Sequence, residues 1–148
     1  MLVLDTNVVL DLFVFDDPAL AELKAALLGS RLDWTATAEM REELRRVLDY
    51  PHIAARMQRK GTTSDAVMAV FDAHAAPAPV ATKAPLTCKD PDDQKFIDLA
   101  VAHGGDLLSK DKAVLCMEKR LKVSAVACAT AAIFVAKNFP QSTGPSSI

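Results

Sequence analysis

Aromatic residues are scarce: Phe, Tyr and Trp fill 5% of 148 positions, with a single Trp34 and a single Tyr50. So few rings argue against a stacking platform of the kind that holds single strands without chemistry. Only five glycines are present, which turns the reading away from an all-β sandwich and from collagen-like chains. The three cysteines, Cys88, Cys116 and Cys128, are odd in number and lack CxxC or Cys/His ligand spacing. That gives little support to a zinc site or a disulfide framework, leaving buried thiols in a reducing compartment as the expectation. Positive charge is not in excess either: 17 Lys and Arg stand against 19 Asp and Glu, a net −2. A polybasic binder and an acidic disordered tail are both ruled out, so any contact with nucleic acid must come from local patches. Long apolar runs are missing as well. Val123 to Ala136, about 14 residues with Ser and Thr inside, falls short of the ~20 that span a bilayer. The start, Met1-Leu2-Val3-Leu4-Asp5, has no basic segment and meets a carboxylate at once, unlike a secretory signal. A soluble, cytoplasmic protein with no membrane partner is expected.

What is present is ample core material. The 51% hydrophobic content suits one domain burying roughly 70% of its unfolded surface. The expected division is a single domain over 1–140 and a polar, flexible tail over 141–148. Leu2-Val3-Leu4 reads as a buried strand ending in the polar turn Asp5-Thr6-Asn7. Val8 to Phe15 reads as helical or irregular. Pro18, capped by Asp17, opens a helix carrying Leu20, Leu23, Leu27 and Leu28 to Gly29-Ser30. Arg31 to Thr35 suits a second strand. A helix from Thr37 or Ala38 to Leu48 stops before Tyr50-Pro51, because a residue preceding proline avoids helical geometry, and Pro51 begins another. Ser64 is expected to cap a helix over Asp65 to Ala76 with Val67, Val70 and Phe71 inward, followed by a linker-like Pro-rich stretch from Ala76 to Pro85. Asp90-Pro91-Asp92-Asp93 opens a helix that closes at His103-Gly104-Gly105. Asp106 to Ser109 then predicts a strand, Asp111 to Arg120 a helix, Lys122 to Ala127 a strand and Thr130 to Lys137 a final helix.

Short apolar strands alternating with helices predict an α/β fold with a mainly parallel sheet between two helical layers. Ligands in such folds sit beyond the carboxyl ends of the strands. Two strands deliver an aspartate there, Asp5 and Asp111. Helical phase at about 100° per residue sorts the other acids. In the helix from Ala38, the stripe Met40, Leu44, Val47 and Leu48 has Glu43 beside it, Glu39 further round and Glu42 opposite. After Asp90-Pro91, Asp93 falls within the stripe of Phe96, Ile97, Leu99 and Ala100, Asp92 lies at its edge, and Asp98 points away. Taken singly, each acid has an ordinary explanation: a dipole-complementing charge for Asp92 or Asp93, a partner for Arg46 in the case of Glu43, a turn for Asp5, an N-cap for Asp111. Taken together, inward carboxylates repel one another and are costly to bury, and a bound cation compensates them. Oxygen ligands without Cys or His select a hard ion, Mg²⁺ or Mn²⁺.

The segments Leu4-Asp5-Thr6-Asn7-Val8, Glu42 to Leu48, Asp90 to Phe96 and Leu108-Ser109-Lys110-Asp111-Lys112 resemble, in order and spacing, the motifs of PIN-domain proteins. The nearest resemblance is to the VapC-like toxins of bacterial toxin-antitoxin pairs, over roughly Met1 to Phe139. It implies a three-layer α/β/α PIN-like fold and a metal-dependent ribonuclease, with Asp5, Glu43, Asp93 and Asp111 as catalytic and metal-binding acids and Asn7, Ser109 and Asp92 in support. It also implies products with 5′-phosphate and 3′-hydroxyl ends, a single-stranded or looped RNA substrate, an antitoxin partner and a homodimer, the last also suggested by the apolar residues of Val8 to Phe15. One departure stands out: a further acid common two positions after the one matching Asp111 is Ala113 here, which bears on a second metal position.

An RNA-cutting cleft lined with acids needs basic residues at its rim. Arg41, Arg45, Arg46, Lys110 and Lys112 are the candidates, whereas Arg56, Arg59 and Lys60 fit a solvated helix face better. His52, His74 and His103 fall outside the motifs. A haloacid-dehalogenase-type phosphatase needs a second Asp where Asn7 stands. The stronger rival is a catalytically weak PIN-fold module that acts by binding protein or RNA.

Overall fold

A computed structural model describes residues 1–140. The expected tail, 141–148, lies outside the described residues. Five short strands, β1 (Leu2–Leu4), β2 (Trp34–Ala36), β3 (Ala75–Pro77), β4 (Asp106–Leu108) and β5 (Ala127–Ala129), form one sheet in the order β3-β2-β1-β4-β5. Every pairing is parallel, with Val3 opposite Leu107 in the central pair. Parallel strands require crossovers, and the helices supply them. These are α1 (Thr6–Phe13), α2 (Ala21–Leu28), α3 (Ala38–Leu48), α4 (Pro51–Lys60), α5 (Ser64–His74), α6 (Gln94–His103), α7 (Lys112–Leu115), α8 (Glu118–Val123) and α9 (Ala131–Asn138), with one-turn 3₁₀ helices at Pro18–Leu20 and Pro91–Asp93. The α1, α2, α3 and α9 helices pack among themselves, while α6 lies against β1 and β4. The result is the three-layer α/β/α arrangement that the strand and helix alternation predicts. None of the helices among the described residues is long and apolar enough to cross a membrane.

Local chemistry sets the element ends. The Thr37 hydroxyl accepts from Met40 N at the start of α3, and Pro51 occupies the first turn of α4, where its missing N–H costs nothing. Asp90 caps Asp92 N at 3.0 Å ahead of Pro91, and Gly104, at φ 67°, closes α6 in the left-handed region that glycine tolerates. Gly105 is required for a different reason: a Cβ there would lie 2.5 Å from the Met1 carbonyl oxygen. The core sits under the central strands, where Val3, Leu107, Phe96, Ile97 and Leu99 are fully buried. Trp34 fills one end of it, stacked on Phe13 at 6.0 Å and edge-on to Phe71 at 5.2 Å.

Several sequence expectations need correction. Thr63, not Ser64, caps α5, and Met68 is buried in place of Val70. Leu28 is 41% exposed, outside the stripe assigned to it. The Pro-rich stretch is not a linker throughout, since it opens with edge strand β3, and Pro can end an edge strand without losing a ladder bond. The helix expected over Asp111 to Arg120 is two, broken at Cys116-Met117, and the strand expected over Lys122 to Ala127 begins only at Ala127 because α8 continues to Val123 and Ala125 turns left-handed at φ 61°. Cys88 and Cys128 are buried as expected, and Cys116 is exposed. The apolar residues of Val8 to Phe15 are spent inside the chain: Val8, Val9, Leu10, Leu12 and Val14 are all buried.

Candidate metal centre

The strand order reverses direction between β1 and β4, so the crevice beyond their carboxyl ends is the topological switch point where ligands bind in open α/β sheets. Asp5 follows β1 directly and Ser109-Lys110-Asp111 follows β4. The two strands are locked at this end by Asp5 N donating to the Leu108 carbonyl at 2.9 Å. Because α6 runs back toward the start of β4, its leading 3₁₀ turn brings Asp93 to the same crevice. One carboxylate oxygen from each of Asp5, Asp93 and Asp111 lies within 4.8 Å of the others.

Ser109 organises two of these acids. Fully buried, its hydroxyl donates to Asp5 Oδ2 at 2.6 Å and accepts Asp111 N at 3.0 Å. Asp111 Oδ1 accepts Ala113 N at 2.9 Å, so the cap expected of Asp111 is real and coexists with its place in the cluster. Asp93 differs from both: it is 8% exposed, and its Oδ2 is buried with no hydrogen-bond partner. A buried carboxylate oxygen left bare is costly unless a cation fills the gap.

The electrostatics agree. Burial pushes the Asp5 carboxyl above its ordinary range, the Ser109 hydroxyl opposes that, and the Glu43 and Asp111 charges add to the rise. Asp93 is pushed up to about 8, first by burial, then by the Asp5 charge and by the nearby Asp111 carboxylate. These raised values reflect carboxyl groups crowded together away from water. Three oxygen donors, no nitrogen or sulfur among them, and one unpartnered buried oxygen fit a hard divalent ion such as Mg²⁺ or Mn²⁺.

Glu43 stands beside this cluster and not inside it. It is half-buried on α3, where phase placed it, but both of its oxygens are engaged. Oε2 accepts the Thr6 hydroxyl, and Oε1 pairs with Lys95 Nζ at 2.5 Å. The Arg46 pairing considered for Glu43 is replaced by this link to α6. Asp92 is exposed, contrary to the inward placement read from the sequence. Phase was counted in α-helical steps, whereas Pro91–Asp93 is a 3₁₀ turn that advances about 120° per residue. Asn7 is half-buried on α1, and its Oδ1 has no hydrogen-bond partner.

The basic candidates divide. Arg41 makes a two-pronged pair with Asp72 at 2.7 and 2.9 Å, Arg45 reaches Glu42 at 3.6 Å, and Lys110 binds Asp11 at 2.9 Å. Arg46 and Lys112 are exposed and in no ion pair among the described residues. Sequence reasoning missed Thr6 and Lys95. The surplus of inward negative charge called for a compensating cation, but nothing in the spacing said that an ammonium would supply part of it.

Residues 1–113 match the family model described as PIN domain. No curated protein and no solved structure matches the chain at a significant level.

Proposed function

The chain belongs to the PIN-domain family, and from that premise we propose that it is a Mg²⁺- or Mn²⁺-dependent endoribonuclease that hydrolyses phosphodiester bonds in single-stranded or looped RNA. The observation that carries this reading is the convergence of Asp5, Asp93 and Asp111 with Asp93 Oδ2 left bare. When bound, the ion supplies a water of lowered pKa and neutralises charge on the phosphoryl oxygens. The chain's own residues do the rest. Asp5, Asp93 and Asp111 would hold the ion, and Ser109 fixes Asp5 relative to Asp111. Arg46 and Lys112, exposed and in no ion pair among the described residues, are candidates to offset the cleft's negative charge toward a phosphate backbone. Lys110 can contribute only by leaving Asp11. Cleavage leaving a 5′-phosphate and a 3′-hydroxyl follows from the motif resemblance. So do the finer assignments of a toxin in a toxin-antitoxin pair, an antitoxin partner and a cytoplasmic homodimer.

The test is cleavage of a fluorescent RNA with Mg²⁺, with Mn²⁺ and with EDTA, comparing wild type with Asp5→Asn. Metal-dependent cutting that falls by at least ~100-fold in the variant is expected. Cutting that persists in EDTA or survives the substitution rejects the mechanism. A chain that binds Mn²⁺ yet cuts no RNA is instead a binding module.

A further inference from the structure

Lys95 lies on the first turn of α6, two positions after Asp93, and its ammonium is held from three sides. It pairs with Glu43 Oε1 at 2.5 Å, donates to the Asp92 carbonyl, and sits 4.9 Å from the centre of the Phe96 ring. Its side chain is only 18% exposed, and that of Glu43 20%. A half-buried ion pair of this kind is screened less than one at the surface. Glu43 reaches the cluster through Thr6, the residue after Asp5, whose hydroxyl it accepts, and Lys95 itself lies two residues after Asp93. The ammonium is therefore built into the same acidic cleft.

Charge counting shows what it does there. Asp5, Asp93, Asp111 and Glu43 carry −4 when ionised, and Lys95 brings this to −3. One divalent ion on the three aspartates leaves −1. Two-metal sites place their ions roughly 3.5–4 Å apart and need carboxylates for both. Glu43 already has one oxygen on Thr6 and the other on Lys95, Asp90, whose charge also reaches Asp93, spends an oxygen capping Asp92 N, and Ala113 offers none. We propose that the Lys95 ammonium serves as a built-in second cation, which neutralises Glu43 and holds the cleft to one divalent ion on Asp5, Asp93 and Asp111. Lys95 is a positioning residue in this account, and the account rests on the metal-centre reading above.

Counting Mn²⁺ per chain by isothermal titration calorimetry tests it without any activity measurement. Wild type is expected to bind one ion. Lys95→Met keeps the stem on Phe96, frees Glu43, and is expected to bind two; the double variant Lys95→Met/Glu43→Gln returns to one. Glu43→Gln alone stays at one. Lys95→Gln, which keeps a hydrogen-bond donor but no charge, takes the place of Lys95→Met should the latter not fold, and is likewise expected to bind two. Two ions in wild type, or one in both Lys95 variants, overturns the role of Lys95 and leaves the triad standing. No ion in wild type overturns both.

Discussion

The Ser109 hydroxyl donates to Asp5 Oδ2 at 2.6 Å across 104 positions of sequence, tying the acid after β1 to the turn after β4. It also holds the Asp5 carboxyl down against the effect of burial. Ser109→Ala removes both actions without adding bulk. Hydrogen bonds that orient a metal-binding group are worth about 10- to 100-fold in metal affinity. Mn²⁺ affinity is expected to fall by that factor with the fold retained, as read by calorimetry alongside circular dichroism.

Asp93→Asn separates stability from function. The amide matches the carboxylate in shape and stays neutral without taking up a proton on folding, so the metal-free variant is expected to be more stable than wild type at pH 7–8, by on the order of 1 kcal/mol. That corresponds to a melting temperature roughly 3 °C higher. Mn²⁺ binding is expected to be lost in the same protein. A drop in melting temperature would show that Asp93 is not strained by its neighbours.

The pH dependence of the metal-free chain follows from the same group. With Asp93 pushed up to about 8 from 3.8, the folded chain holds a proton that the unfolded chain releases between those values. Stability contributed by this group is full below about pH 4 and declines as pH rises toward 8. Melting temperatures of the EDTA-treated protein should therefore fall from pH 5 to pH 8, less steeply in Asp93→Asn. Since ion binding must displace that proton, apparent Mn²⁺ affinity is expected to rise over the same range and level off above it.

Basic side chains already spent on internal partners should matter less to RNA than free ones. Arg46→Ala and Lys112→Ala are each expected to lower the log–log salt slope of RNA binding by about 0.7. Arg41→Ala is expected to leave the slope unchanged and to alter stability little, since its pair with Asp72 is exposed to solvent. Fluorescence anisotropy in EDTA, between roughly 50 and 200 mM salt, distinguishes them.

Most of the element order and the three clustered acids were legible because each depended on local signals, while edge strand β3 and the break between α7 and α8 were not. Asp5 closes an apolar run, Asp111 opens a helix after another, and Asp93 shares a face with Phe96 and Ile97. What escaped depended on tertiary contact. Strand β5 is Ala127-Cys128-Ala129, poor strand formers held in place by pairing with β4, while the nearby valines Val123 and Val126 drew the expected strand too early. Asp98, read as pointing away, accepts Ala84 N at 2.9 Å and Gln94 Nε2 at 2.8 Å, and so ties part of the Pro-rich stretch to α6. The Lys95 pairing with Glu43 joins residues on different helices, beyond the reach of any periodicity.

Placing β1, which precedes the other four strands of this sheet, at its centre has a consequence for synthesis. Strand β1 has its second neighbour, β4, only after about a hundred more residues have been made. At roughly 5–20 residues per second, that interval lasts on the order of 5–20 s. Throughout it, a nascent chain on the ribosome, surrounded by RNA, carries Asp5 without Ser109 or Asp111, and the cluster cannot close before about three-quarters of these residues have been made.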